Sequence, residues 1–180
     1  MRALVLLCLL PACGYALATA EKAPNGITKV YVNQAMDAAH DVGPAATLTR
    51  VLRDRVATSN ALRHVALADA EAVLEARVES AVESVSPQAL GGPPTTPKYV
   101  LAMTGSARLI DTKGTIVWQS GAITVSEDFA SGLPLCNAGP CAPSIVENTI
   151  PMTESNRRRA LERAAEQLAH ELYGRLLEGF

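Results

Sequence analysis

Histidine, serine and cysteine are the side chains from which a catalytic or metal centre would be assembled, and in this chain their spacing assembles none. The three histidines, His40, His64 and His170, fall in a polar loop, at a strand edge and in the last helical pattern. No two stand at a spacing that would put both imidazoles on one metal. Asp37, His40 and Asp41 form the densest polar cluster, whose ordinary reading is a solvated loop. There is no Gly-x-Ser-x-Gly elbow, no Gly-x-Gly-x-x-Gly turn and no P-loop. Gly91-Gly92-Pro93-Pro94 is a poor phosphate cradle, because proline has no N–H to donate. Arg157-Arg158-Arg159 reads as a solvated helix face beside Glu154 and Glu162. Its alternative reading is a contact with phosphorylated lipid heads, which guanidinium groups recognise well. No enzyme is read from these residues, and no metal.

The N-terminal cysteine carries more information. Residues 1–12 hold one cation, Arg2, a short apolar run and a small residue at Ala12, the layout of an export signal. The run is too short to cross a bilayer. Leu10-Pro11-Ala12-Cys13 resembles the lipobox of bacterial lipoproteins. In that family the thiol of the cysteine takes an acyl-glycerol group, a peptidase cuts just before it, and the new amine is acylated. Cys8 follows Leu7 and does not fit the pattern. Gly14 stands where an aspartate usually retains such proteins in the inner membrane. The expectation is therefore lipidation of Cys13, a covalent lipid there in place of any cofactor, and an outer-membrane anchor facing the periplasm.

Export also changes how the remaining thiols read. Cys136 and Cys141 bracket Asn137-Ala138-Gly139-Pro140, and in an oxidising compartment this reads most simply as a local disulfide. A metal site would want a second pair, and a redox pair would want Cys-x₂-Cys at a helix start.

The elements around these residues follow from composition and periodicity. In the 180-residue chain, 16 Lys+Arg against 18 Asp+Glu give a formal charge of −2, which argues against a nucleic-acid binder. An apolar content of 48% supports one ordinary core and one domain. Residues 1–12 are read as a lipoprotein signal peptide, 13–26 as a lipidated tether and 27–180 as a single domain. The β-branched stretch 27–33 predicts a strand, and 34–43 a polar loop. Leu48, Val51, Leu52 and Val56 fall at three-and-four spacing, predicting an amphipathic helix over 44–58 that starts at Pro44. Residues 62–67 predict a short strand.

Residues 70–85 fit a helical stripe and a strand alternation alike, with propensity favouring helix. A Pro/Gly-rich loop at 86–97 is followed by two long alternating runs, 98–110 and 115–129. They are joined by Asp111-Thr112-Lys113-Gly114, a hairpin turn. Gly105 and Gly121 are expected to mark bulges or close approaches. Residues 130–151 read as a long loop, and 153–177 as a helix capped by Thr153 or Ser155. The order β-α-β-β-β-β-α predicts an α/β (α+β) two-layer sandwich, with helices on one face of a mixed sheet.

At Cys13-Gly14-Tyr15-Ala16-Leu17 the chain resembles the start of the mature lipopolysaccharide-assembly lipoproteins, the LptE family. The likeness continues in order through Ala68-Asp69-Ala70-Glu71-Ala72-Val73-Leu74-Glu75-Ala76, then Lys98-Tyr99 and Ala107-Arg108-Leu109-Ile110-Asp111. It goes on through Ile116-Val117-Trp118 and Glu127-Asp128-Phe129 to Arg159-Ala160-Leu161-Glu162-Arg163-Ala164-Ala165-Glu166-Gln167-Leu168-Ala169. It implies two helices packed on a four-stranded sheet, and on that ground 70–85 is read as a strand. The loops 86–97 and 130–151 depart from the family.

The resemblance also implies a non-catalytic role. Such a lipoprotein plugs the outer-membrane barrel LptD, assists its assembly, and helps lipopolysaccharide reach the outer leaflet. Its partners would be that barrel, lipopolysaccharide and, through its anchor, the membrane. Arg77, Lys98, Arg108 and Lys113 are the candidate contacts to lipopolysaccharide phosphates, expected to gather at one tip. The alternative is a lipoprotein that activates a peptidoglycan synthase, which would want a longer tether than residues 14–23.

Overall fold

The computed structural model describes residues 24–39, 43–85, 98–132 and 143–178. Cys13, His40, Asp41, the 86–97 loop, Cys136 and Cys141 lie outside the described residues. The fold is a curled mixed sheet with two helices on one face. Its elements are β1 (Lys29–Val32), β2 (Met36–Asp37), α1 (Pro44–Thr58), β3 (Arg63–His64), β4 (Ala72–Val85), β5 (Lys98–Asp111), β6 (Ile116–Gln119), β7 (Ile123–Ala130) and α2 (Pro143–Glu178).

The sheet has seven strands where four were expected, because two long strands are broken and the short β3 adds an edge beside β1. β1 and β2 both pair parallel with β4, at Val30–Val32 and Met36–Asp37 respectively. The break between them is held by α1. Thr49, 5% exposed, accepts the Ala35 N–H at 2.9 Å and donates to the Ala45 carbonyl at 2.7 Å. Arg53 donates twice to the Val32 carbonyl, each at 3.2 Å. The expected loop 34–43 thus contains a piece of strand.

The expected single run 115–129 is likewise split into β6 and β7, both antiparallel to β5. Ser120 Oγ accepts the Ala107 N–H at 2.9 Å and donates to the Gly121 carbonyl, and Gly121 takes φ +69°. That positive φ favours glycine and turns the chain out of its lane. The expected strand at 62–67 shrinks to Arg63–His64, a two-residue edge on β1.

Segment 72–85 is a strand along its whole length, paired with β5 from Ala72↔Asp111 to Val85↔Tyr99. The turn after β5 works as its residues suggest. Asp111 Oδ1 accepts the N–H of Lys113 and of Thr115, both at 2.8 Å, and Gly114 has φ +84°.

The core lies between sheet and helices. Leu74, Ala76 and Val78 of β4, Leu101, Met103 and Leu109 of β5, and Ile123, Val125 and Phe129 of β7 are buried on the helix side. α1 meets them with Leu48, Leu52 and Val56, the stripe read from the sequence. α2 presents Ala160, Leu161, Ala164, Ala165, Leu168, Ala169, Leu172 and Leu176, and the four alanines let its backbone come close to its neighbours. α2 begins at Pro143, inside the expected loop, and runs through Pro151. Thr153 is therefore inside the helix and not its cap. Its Oγ1 instead accepts the Gly132 N–H at 2.8 Å.

The start of β1 is tied down by Glu71. The Thr28 and Lys29 N–H groups donate to its carboxylate at 2.8 and 3.1 Å. These two backbone donors, Thr28 first, hold the Glu71 pKa below the ordinary carboxylate range. A lowered folded-state pKa contributes stability that is present above the unfolded value and is lost as pH falls through the folded one. Glu71→Gln is therefore expected to flatten part of the acid limb of stability against pH, measured by urea unfolding. Parallel acid limbs in the two proteins would refute it.

Candidate functional site

The face of the sheet turned away from the helices is polar. The β4–β5 register puts Glu75 opposite Arg108 and Arg77 opposite Ser106. Arg108 donates to Glu75 Oε2 from Nε at 3.0 Å and from Nη2 at 2.8 Å. Ser106 Oγ donates to Glu79 Oε1, and the Thr104 and Thr124 hydroxyls meet at 2.8 Å. A shallow cleft of about 210 Å³ opens here, lined by Met36, Glu75, Arg77, Glu79, Ser106 and Arg108 among others. The carboxylates match the guanidinium groups in number, and Arg108 is already engaged. Arg77, which makes no ion pair among the described residues, is the group with capacity to spare for an anion.

The bulge that shapes the cleft is tied to Gly105. The β4–β5 register slips between Val78 and Ser80, opposite Gly105. A Cβ on Gly105 would stand 2.6 Å from Leu168 Cδ2 and 2.7 Å from the Arg77 carbonyl oxygen. Gly105 is thus the close approach that its place in a strand suggested. Met36 and Glu79 are cleft residues that the sequence reading did not single out. Met36 arrives through the unforeseen β2, and Glu79 follows Glu75 and Arg77 onto this face by strand alternation.

The four candidate cations are not brought together at one tip. Arg77 and Arg108 are diagonal neighbours on the open face. Lys98 begins β5 and Lys113 lies in the turn beyond its end, so the two are roughly 45 Å apart at about 3.4 Å per residue. Strand geometry forbids the expected cluster. Arg157 is engaged by Glu83, and by Glu154 at 3.8 Å. His64 lies 6.1 Å from Tyr31 between ring centroids, and His170 faces Arg55. Among the described residues no group of three His, Cys, Asp or Glu is placed to hold a metal ion, and no helix is long and apolar enough to cross a membrane.

Several solved structures are similar to this chain. A minor lipoprotein from Acinetobacter baumannii matches with a TM-score of 0.47 at 14% identity, over 85% of this chain and 92% of its own. Rare lipoprotein B from Shewanella oneidensis matches with a TM-score of 0.44 at 14% identity, over 84% and 92%. The PelC dodecamer from Paraburkholderia phytofirmans matches with a TM-score of 0.43 at 17% identity, over 86% and 92%. No curated protein matches the chain. The family model described as "LptE: Lipopolysaccharide-assembly" matches residues 27–176, from just before β1 to near the end of α2. A match across both helices and every strand places this chain in the LptE family of lipopolysaccharide-assembly proteins.

Proposed function

We propose that the protein is a lipoprotein of the outer membrane, anchored on its periplasmic side by acylated Cys13, that plugs the LptD barrel and assists its assembly. In this role it helps lipopolysaccharide pass to the outer leaflet and performs no catalysis. The observation that carries the reading is the family match over residues 27–176. The polar open face of the sheet agrees with it, since a barrel lumen is polar and wet. On that face Arg77 is the cation left to meet a lipopolysaccharide phosphate, whereas Arg108 must first give up Glu75.

The test is a pull-down of C-terminally tagged chain from detergent-solubilised outer membrane, with partners identified by mass. A stoichiometric large barrel that survives strong detergent is the expected result. A peptidoglycan synthase recovered without a barrel would overturn it. For the lipid contact, Arg77→Glu is expected to weaken lipid A binding several-fold, as loss of one charge-assisted contact and gain of a repulsive one requires. Binding unchanged by that reversal would remove Arg77 from the site.

A further inference from the structure

Several stretches of this sheet lack an outer strand neighbour among the described residues, β2, β3, β6, β7 and the far half of β4 among them, and the fold treats them differently. β2 and β3 are only two residues long, and β6 only four. The outer edge of β7 is covered by α2. Asn156 Nδ2 donates to the Ala130 carbonyl at 3.0 Å, and Arg163 Nη2 reaches the Asp128 carbonyl at 3.5 Å. Short strands and side-chain cover are the usual protections of an edge.

The far half of β4 has neither. β1 and β2 accompany it only as far as Val78, because Asp37 Oδ1 takes the Ala39 N–H at 2.9 Å and ends β2 in a turn. From Ser80 to Val85, β4 continues along β5. Val82 is 60% exposed and Val85 50%. The segment Ser80-Ala81-Val82-Glu83-Ser84-Val85 has no proline or lysine, and its one charge is engaged by Arg157. It is a pairing template without a gatekeeper.

We propose that this edge of β4 pairs antiparallel with the same edge of a second copy of the chain, with Val82 on the two-fold axis. The argument for a second copy is self-complementarity. Past the bulge, alternation directs the N–H and C=O groups of Ala81, Glu83 and Val85 away from β5. A two-fold through Glu83 would oppose two carboxylates. A two-fold through Val82 sets valine against valine, Ser80 against Ser84 and Ala81 against Glu83, so no like charges face each other. Such a contact is isologous and closes on itself. It requires neither the lipid anchor nor the barrel and concerns the chain outside the barrel, so its failure and that of the proposed function are read separately.

The test uses the full chain in detergent. Sedimentation is expected to give the mass of two copies. Directly opposed residues of a non-hydrogen-bonded antiparallel pair have Cα atoms about 4.5 Å apart, within disulfide reach. Val82→Cys should therefore yield a covalent dimer on a non-reducing gel beyond any that the native cysteines form. Ser84→Cys should not, because its opposite number is Ser80. Val82→Lys should weaken association about tenfold through loss of the valine pair and like-charge opposition. A monomeric wild type overturns the proposal, as does Val82→Cys without cross-linking or Val82→Lys associating as wild type does. A monomer that loses a foreign chain on Val82→Lys would overturn it too, and would assign the edge to that chain.

Discussion

Cys13→Ala is expected to abolish fatty-acid incorporation and with it the chain's own lipid hold on the membrane. The motive is the Leu10-Pro11-Ala12-Cys13 sequence: no residue but cysteine supplies a thiol for the thioether. Each buried CH₂ contributes about 0.8 kcal/mol, so one chain holds weakly and several hold essentially permanently. Removal of all of them is therefore close to an all-or-none change. Metabolic labelling with a fatty acid, together with intact mass, reads the modification itself, which retention by a barrel partner cannot imitate. Unaltered label in Cys13→Ala would place the lipid elsewhere. An unmodified wild-type mass would mean that there is none.

The second large effect is at Gly105. Alanine there is expected to destabilise the fold by about 3 kcal/mol, at the upper end of overpacking costs. In a chain of this size that is a fall in midpoint temperature of roughly 6–12 °C. The reason is that the new methyl meets two objects of different stiffness. Leu168 Cδ2, at 2.6 Å, can rotate away, but the Arg77 carbonyl at 2.7 Å belongs to the paired backbone of β4. Leu168→Ala added to Gly105→Ala should therefore recover part of the loss and not all of it, a coupling that a double-mutant cycle in urea measures. A cost below about 1 kcal/mol, small on the scale of overpacking, would mean that the bulge at Val78–Ser80 absorbs the methyl. In that case α2 is less tightly seated on β5 than the contacts indicate.

Local signals were read from the sequence where one element alone carries them. The stripe Leu48, Val51, Leu52 and Val56 bounded α1 at Pro44–Thr58, because an amphipathic helix is written in its own periodicity. The Asp111–Gly114 turn was equally self-contained, since aspartate can bond the backbone just ahead of it and glycine can take positive φ. Residues 72–85 were not self-contained. Their composition favours helix, and only pairing with β5 along the whole of β4 makes them a strand, a non-local contact that outweighs propensity. The family resemblance foresaw this, and periodicity alone did not.

The breaks at 33–35 and 120–122 also came from tertiary contacts. Thr49 and Arg53 of α1 hold the first, and Ser120 against Ala107 holds the second. Each rests on a hydrogen bond between groups distant in the chain. The candidate cations show the same limit. Residue type picked out Arg77, Lys98, Arg108 and Lys113, but strand register decided that two share a face and two stand at opposite ends of β5. Sequence by itself determined which residues can be helix, turn, anchor or cation. Which of them meet was decided by the packed sheet, because register is settled only when both strands and the helix over them are in place.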